Sequence, residues 1–153
     1  RVHRFLRDLL GDAALAADAT QETFVRAFRQ IDAFDTTRAA IPWLLGIARN
    51  VSLEVRRARM RRERVIVRDG DGVDVAGPGS PESELLGREA VRVVGAALEQ
   101  LSEDRRAMLL LRLDHGLAYE EIAALMGFSL AKVKVEIFRA REILRATLSE
   151  YER

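Results

Sequence analysis

Cysteine is absent from these 153 residues, which excludes disulfides, thiolate metal sites and thiol chemistry. Histidine is almost as scarce: His3 and His115 lie far apart in the chain, so no metal site is expected. No apolar run approaches the roughly 20 residues needed to span a bilayer, and no secretory leader is visible; membrane insertion is not expected. There is no glycine-rich phosphate loop, no nucleophile–base arrangement and no ligand cluster. Catalytic residues, cofactors and a small-molecule substrate are therefore not expected. The paired acids Glu103-Asp104 and Glu120-Glu121 fall in first helical turns, where they complement the helix dipole rather than perform acid–base work. Alternating strand patterns and internal repeats are also missing.

What remains is helical, and it is organised by charge. The formal net charge is +1, but it is unevenly spread. Residues 1–65 hold 13 Arg against 8 Asp and Glu, residues 66–84 are acidic, and residues 85–153 are balanced. Between the two ends, Gly70, Gly72, Gly77, Pro78, Gly79, Ser80 and Pro81 break all periodicity and read as a flexible linker over 66–84. The fold class is all-α: a basic first domain at 1–65, the linker, and a second domain at 85–153.

In the first domain, Arg1 to Leu10 look like the end of a helix already under way. With no Met at position 1, the domain is expected to be truncated at its front. A helix over 13–31 follows, capped by Asp12, with Leu15, Phe24, Phe28 and Ile31 at helical spacing as the expected core face. Pro42 suits the first turn of another helix, running from about Ile41 to Arg64, with Leu44, Ile47, Ala48, Val51 and Val55 facing inward. In the second domain, patterning returns near Glu84 with Leu85, Leu86, Val91, Val94, Ala97, Leu98 and Leu101. Ser102 opens a helix whose face is Leu109, Leu110 and Leu113, and Gly116 ends it.

Residues 118–145 then carry the most specific signal. Ala123 is small where two helices would cross closely, Gly127 suits a left-handed helix end, and Val133 can bury against Ile122 and Ala123. This spacing is that of a DNA-reading helix-turn-helix, although an ordinary helical hairpin can show it too. On the second helix, capped by Ser129, the stripe Val133, Ile137, Ala140 and Leu144 is expected to be buried. Lys132 and Arg139 flank the opposite face on one side, Lys134 and Arg145 on the other, as suits two phosphate walls. Between them lie Ala131, Val135, Phe138 and Glu142, an unusually apolar strip for base reading.

Two features of the first domain also suit nucleic acid. Arg56, Arg57, Arg59, Arg61, Arg62 and Arg64 repel one another unless an anion answers them. Trp43, Phe24 and Phe28 are core residues by default, whereas Phe34 falls in a polar loop, where it could stack on an unpaired base.

Two motifs now become recognisable. Asp18-Ala-Thr-Gln-Glu-Thr-Phe-Val-Arg-Ala-Phe, then Phe34, then Pro42-Trp-Leu-Leu-Gly-Ile-Ala-Arg-Asn, resembles the first conserved domain of bacterial sigma factors of the extracytoplasmic-function type. Leu101-Ser-Glu-Asp-Arg-Arg-Ala-Met-Leu-Leu-Leu-Arg, then Tyr119-Glu-Glu-Ile-Ala, Val133-Lys and Arg139-Ala-Arg, resembles their second domain. Both in this order form a highly specific combination covering all but the linker. The resemblance implies a protein that binds core RNA polymerase and directs it to promoter DNA in the cytoplasm, commonly under an anti-sigma partner that can hold it near the membrane. It implies polymerase contacts at Asp18, Gln21 and Glu22, with Phe24 in the core. It implies minus-ten contacts at Phe34, Arg49 and Asn50, which the basic run beginning at Arg56 and Arg57 would extend. It implies minus-35 reading by the helix opening at Ser129, through Ala131, Lys132, Lys134, Val135, Phe138 and Arg139.

The chain departs from the family pattern in places. Ala19 and Thr20 replace larger apolar residues, and Ala118 replaces a Ser cap, at a cost of about 1 kcal/mol. Ala131-Lys132 stands where Gly-Thr is usual, and Val135-Glu136 where Ser-Arg is usual; Glu136 is expected to remove one phosphate contact. Two alternatives stay open at this point: a stand-alone helix-turn-helix regulator, and a helical interaction protein without DNA binding.

Overall fold

A computed structural model describes residues 1–63 and 81–153. Its helices are α1 (Val2–Leu10), α2 (Ala13–Arg29), α3 (Ala40–Glu63), α4 (Pro81–Glu99), α5 (Glu103–Leu113), α6 (Tyr119–Met126) and α7 (Leu130–Tyr151), with a 3-10 turn at Ile31–Ala33. Among the described residues there is no strand, and no helix is long and apolar enough to cross a membrane. The expected all-α class is what is found. Arg64 and the expected linker as far as Ser80 lie outside the described residues, as do the side chains of Leu85 and Leu86. Helix α4 opens at Pro81, three residues ahead of the expected start, with proline at a position where its missing N–H leaves no bond unmade.

Local chemistry sets the helix ends. Gly11 closes α1 at φ 67°, and its N–H reaches the Arg7 carbonyl. Asp12 then accepts from the Leu15 N–H at 3.0 Å and starts α2. Ser129 does the same for α7, accepting from the Lys132 N–H at 3.1 Å. At Ala118 the cap hydroxyl is missing, but the Glu121 carboxylate accepts the Ala118 N–H at 3.0 Å. One half of the reciprocal cap therefore survives the departure noted above.

Helix α2 reverses the expected packing. Its buried stripe is Ala16, Ala19, Thr23 and Ala27, while Phe24 is 50%, Phe28 79% and Ile31 52% exposed. Small side chains let α2 approach both α1 and α3 closely, and the Thr23 hydroxyl, donating to the Ala19 carbonyl at 2.7 Å, leaves no polar group unmet. The bulky residues of the first domain's core come instead from α1 (Phe5, Leu6, Leu9) and α3 (Leu45, Ile47, Val51). Hydrophobic spacing alone could not tell the two stripes of α2 apart, because each recurs at three and four residues. Val91 and Val94 of α4 and Leu113 of α5 are likewise exposed where core positions are expected; Ala97, Leu101, Leu109 and Leu110 are buried as expected.

The buried residues of both halves form one continuous core. Helix α1 packs on α5, and α3 packs on α6. Gly46 eases the second crossing: a Cβ there would lie 3.3 Å from Leu125 Cγ, tighter than a relaxed contact.

Candidate nucleic-acid and polymerase interfaces

The helix-turn-helix is built as its spacing predicts. Gly127 adopts φ 71° and ψ 30°, a left-handed conformation that costs an L side chain about 1–2 kcal/mol, and its turn is closed by the Phe128 N–H on the Ala123 carbonyl at 3.0 Å. Val133, Ile137 and Ala140 are buried, together with Ile122 opposite them, and Leu144 packs on their edge. This stripe orients α7 rigidly. Ser129, Ala131, Lys132, Lys134, Val135, Phe138 and Arg139 all stand exposed on the other side. The structure thus gathers the whole expected minus-35 set on one accessible face. The Lys132 ammonium lies 3.8 Å from the centroid of the Phe128 ring, a cation–π contact that restrains it near the turn. Arg145 is engaged by Glu142 at 2.8 Å.

Glu136 finds its partners within the protein. It points off the central strip, where the Arg105 Nε donates to it at 2.6 Å and Arg139 Nη1 at 3.3 Å. The Arg105 guanidinium holds its carboxyl below the usual range. Its charge is answered within the protein by two guanidiniums.

The expected minus-ten residues divide between two faces of α3. Trp43, Asn50 and Arg57 recur every seven residues, about 10 Å per step, and Asn50 and Arg57 are exposed. Phe34 is not a free loop aromatic: its ring lies 4.6 Å from Trp43 at 33°, half-buried and fixed at the head of this strip.

Arg49 and Arg56 face the other way, into the second domain. The Arg49 side chain is only 14% exposed and pairs with Asp104 at 3.1 Å. Arg56 donates to the Leu9 carbonyl at 2.6 Å and pairs with Glu103 at 3.5 Å. These two arginines are therefore occupied where free phosphate ligands are expected. Farther along the run, Arg59 pairs with Glu63 at 3.1 Å; Arg57, Arg61 and Arg62 remain on the surface. The acids at the start of α5, expected only to complement its dipole, also bridge the domains. Burial pushes the Glu103 carboxyl up, against the opposing pull of Arg56.

Arg106 completes this seam, and the sequence carried no signal that this arginine, unlike its neighbour Arg105, turns inward. It is buried and donates to the carbonyls of Leu98 at 2.8 Å, Leu9 at 3.0 Å and Leu101 at 3.3 Å. Leu9 lies in the last turn of α1, where orphan carbonyls and the negative dipole end attract cations. At the seam's other edge, Arg4 pairs with Asp114 at 2.6 Å. His115 is buried edge-on to Phe5 at 5.6 Å between ring centroids. Burial pulls its imidazole below the ordinary value of 6.5, with Asp114 opposing.

On α2, Asp18 and Gln21 are exposed, and Glu22 is half-buried. Arg26 bridges Glu22 at 2.9 Å and Glu54 of α3, so Glu22 braces two helices as well as fronting the surface. Asp18, Gln21, Val25 and Phe28 form one outward stripe by their spacing, with Phe24 beside it. Reading Phe24 and Phe28 as core residues hid the apolar half of this surface.

Comparison with known proteins agrees with this geometry. The model of Sigma-70 region 2 matches residues 1–62, and that of Sigma-70, region 4 matches residues 92–144. The ECF RNA polymerase sigma-E factor of Haemophilus influenzae is 35% identical over 134 residues, covering 83% of this chain and 71% of that protein. Its counterpart in Escherichia coli is also 35% identical over 134 residues, covering 83% and 70%. Among solved structures, the sigma factor RpoE in complex with the anti-sigma factor NepR from Bartonella quintana superimposes with a TM-score of 0.80 at 26% identity, covering 97% of this chain and 89% of that one. CnrH in complex with the cytosolic domain of CnrY gives 0.71 at 25%, covering 97% and 80%. With two family regions in order, relatives matched over most of their length and the same helical architecture, the chain belongs to the RNA polymerase sigma factors of the ECF type.

Proposed function

We propose that this chain binds core RNA polymerase and directs it to promoters through two separate DNA contacts. Domain 1–65 docks on the polymerase through Asp18, Gln21 and Glu22 on α2, joined by the exposed Phe24, Val25 and Phe28. The same domain holds the opened minus-ten strand along Phe34, Trp43, Asn50 and Arg57. A stacking group matters there because unstacking a base costs a few kcal/mol. Domain 85–153 lays α7 in the major groove of the minus-35 element, with Lys132 and Arg139 toward one phosphate wall and Lys134 toward the other. The segment between α3 and α4 sets the reach between the two contacts. The polymerase performs the chemistry; this chain supplies recognition, in the cytoplasm.

The observation that carries this reading is the face of α7: the seven residues that the resemblance implies are all exposed, opposite the buried Val133, Ile137 and Ala140. Arg49 and Arg56 join the minus-ten contacts only when they exchange Asp104 and Glu103 for phosphates, so promoter engagement includes parting the seam. One solved relative was captured with the anti-sigma factor NepR, and we assign this chain a partner of the same kind. Transcription from a promoter library, with purified core polymerase, tests the proposal. Start sites that appear only when the protein is added, sharing elements near minus-ten and minus-35, are expected. A library that yields no protein-dependent start sites overturns it.

A further inference from the structure

We propose that Glu136 is a positioning residue, which presents Arg105 of α5 and Arg139 of α7 as a paired guanidinium site for one backbone phosphate beside the minus-35 groove. The inference rests on the reading of α7 as the duplex-facing helix and adds to it a contact from outside the helix-turn-helix.

The carboxylate uses its two oxygens separately: Oε2 accepts from Arg105 Nε at 2.6 Å and Oε1 from Arg139 Nη1 at 3.3 Å. The bond to Arg105 engages Nε alone, so its terminal nitrogens are not consumed by it. The Arg105 and Glu136 side chains are 27% and 18% exposed, whereas Arg139 is 58% exposed. The anchor is thus sheltered and one arm reaches outward. Lys132, held over Phe128 at 3.8 Å, lies on the same flank of α7. Three cations therefore surround one carboxylate, leaving this edge positive. Two guanidiniums without an intervening anion repel and scatter; with Glu136 between them they stay side by side, pre-ordered for a phosphate that accepts from both. Arg105 also stands in the first turn of α5, whose N-terminal end favours an anion nearby. An arginine at position 136 itself would contact phosphate alone. Here the contact is divided between two helices and fixed by an acid.

The test is holoenzyme binding to a promoter duplex over a salt series. R105A is expected to lower the slope of log K against log salt by about 0.9, the value for one phosphate. E136Q removes a negative charge from the DNA side yet is expected to weaken binding roughly five-fold, because a charge-assisted anchor is lost. The swap R105E/E136R restores the pair and is expected to recover binding relative to R105E. Tighter or unchanged binding by E136Q, or an unaltered slope in R105A, overturns the proposal; a merely structural pair would alter unfolding without moving the slope. The wild-type holoenzyme on a duplex with a scrambled minus-35 element separates the two levels. If scrambling costs nothing, the reading of α7 fails, and this inference with it. If scrambling weakens binding but the variants behave as wild type, only this inference fails.

Discussion

Replacing Arg106 with methionine tests whether the two domains are locked or merely adjacent. Methionine keeps most of the volume, so the cavity contribution is small. What is lost is three hydrogen bonds from a buried cation. The Leu9 carbonyl retains Arg56 at 2.6 Å and that of Leu98 retains the Leu101 N–H at 3.1 Å, so each loses one bond of about 0.5–1.5 kcal/mol, whereas the Leu101 carbonyl loses its donor, at about 1–3 kcal/mol. Against this stands relief from burying a guanidinium, a burden visible in the lowering of its pKa by burial. Because the guanidinium is met by carbonyls, that relief is the smaller effect, and a net loss of about 3 kcal/mol is expected. With a urea m-value of about 2 kcal/mol/M, the midpoint falls by about 1.5 M. Trp43 is the only tryptophan, so its fluorescence follows the first domain alone while far-UV circular dichroism follows both. The shared core predicts that the two signals coincide in wild type and separate in R106M. A midpoint unchanged within about 0.3 M, with coincident signals, would refute the claim that Arg106 joins the domains.

Acidification gives a second test. His115 is held neutral by burial, with its folded pKa depressed, so its contribution is complete above 6.5 and is lost as pH falls below that value; urea midpoints at pH 7.5 and 5.5 should differ in wild type and converge in H115Q. Gly127→Ala forces a side chain into φ 71° and should cost about 1–2 kcal/mol in thermal unfolding, with weaker duplex binding because α7 is re-aimed; an unchanged melting temperature would contradict the turn geometry. Phe28→Asp, at a residue 79% exposed, should leave stability within about 0.5 kcal/mol yet weaken binding to core polymerase at least ten-fold by fluorescence titration, and equal affinity would remove Phe28 from that surface.

Some of this was legible because it is local. Gly127, Ser129 and the stripe from Val133 define the helix-turn-helix through φ preference, capping and 3.6-residue periodicity, none of which needs a distant partner. The exposed residues of α7 follow by elimination once that stripe is placed. Helix α2 was misread because Phe24, Phe28 and Ile31 have the spacing of a core face and the chemistry of one. Only the close approach of α1 and α3 shows that alanines fill the inside. The pairing of Glu136 was not legible because its partner, Arg105, is 31 residues away. Arg49 and Arg56 were identified as cations suited to DNA, but the acids that pair with them, Asp104 and Glu103, lie beyond the linker.

The sequence by itself determined that the chain is helical, that it carries a basic front and a helix-turn-helix, and that it has the two motifs of its family. These depend on residue type and short-range spacing, which survive without a folded partner. The tertiary structure alone decided which aromatic residues face outward, and that Glu136 organises two arginines. It alone decided that Arg49, Arg56 and Arg106 are spent on joining the domains. Those outcomes depend on which groups meet across tens of residues, and whether a charge is free or answered is a property of that meeting, not of the residue that carries it.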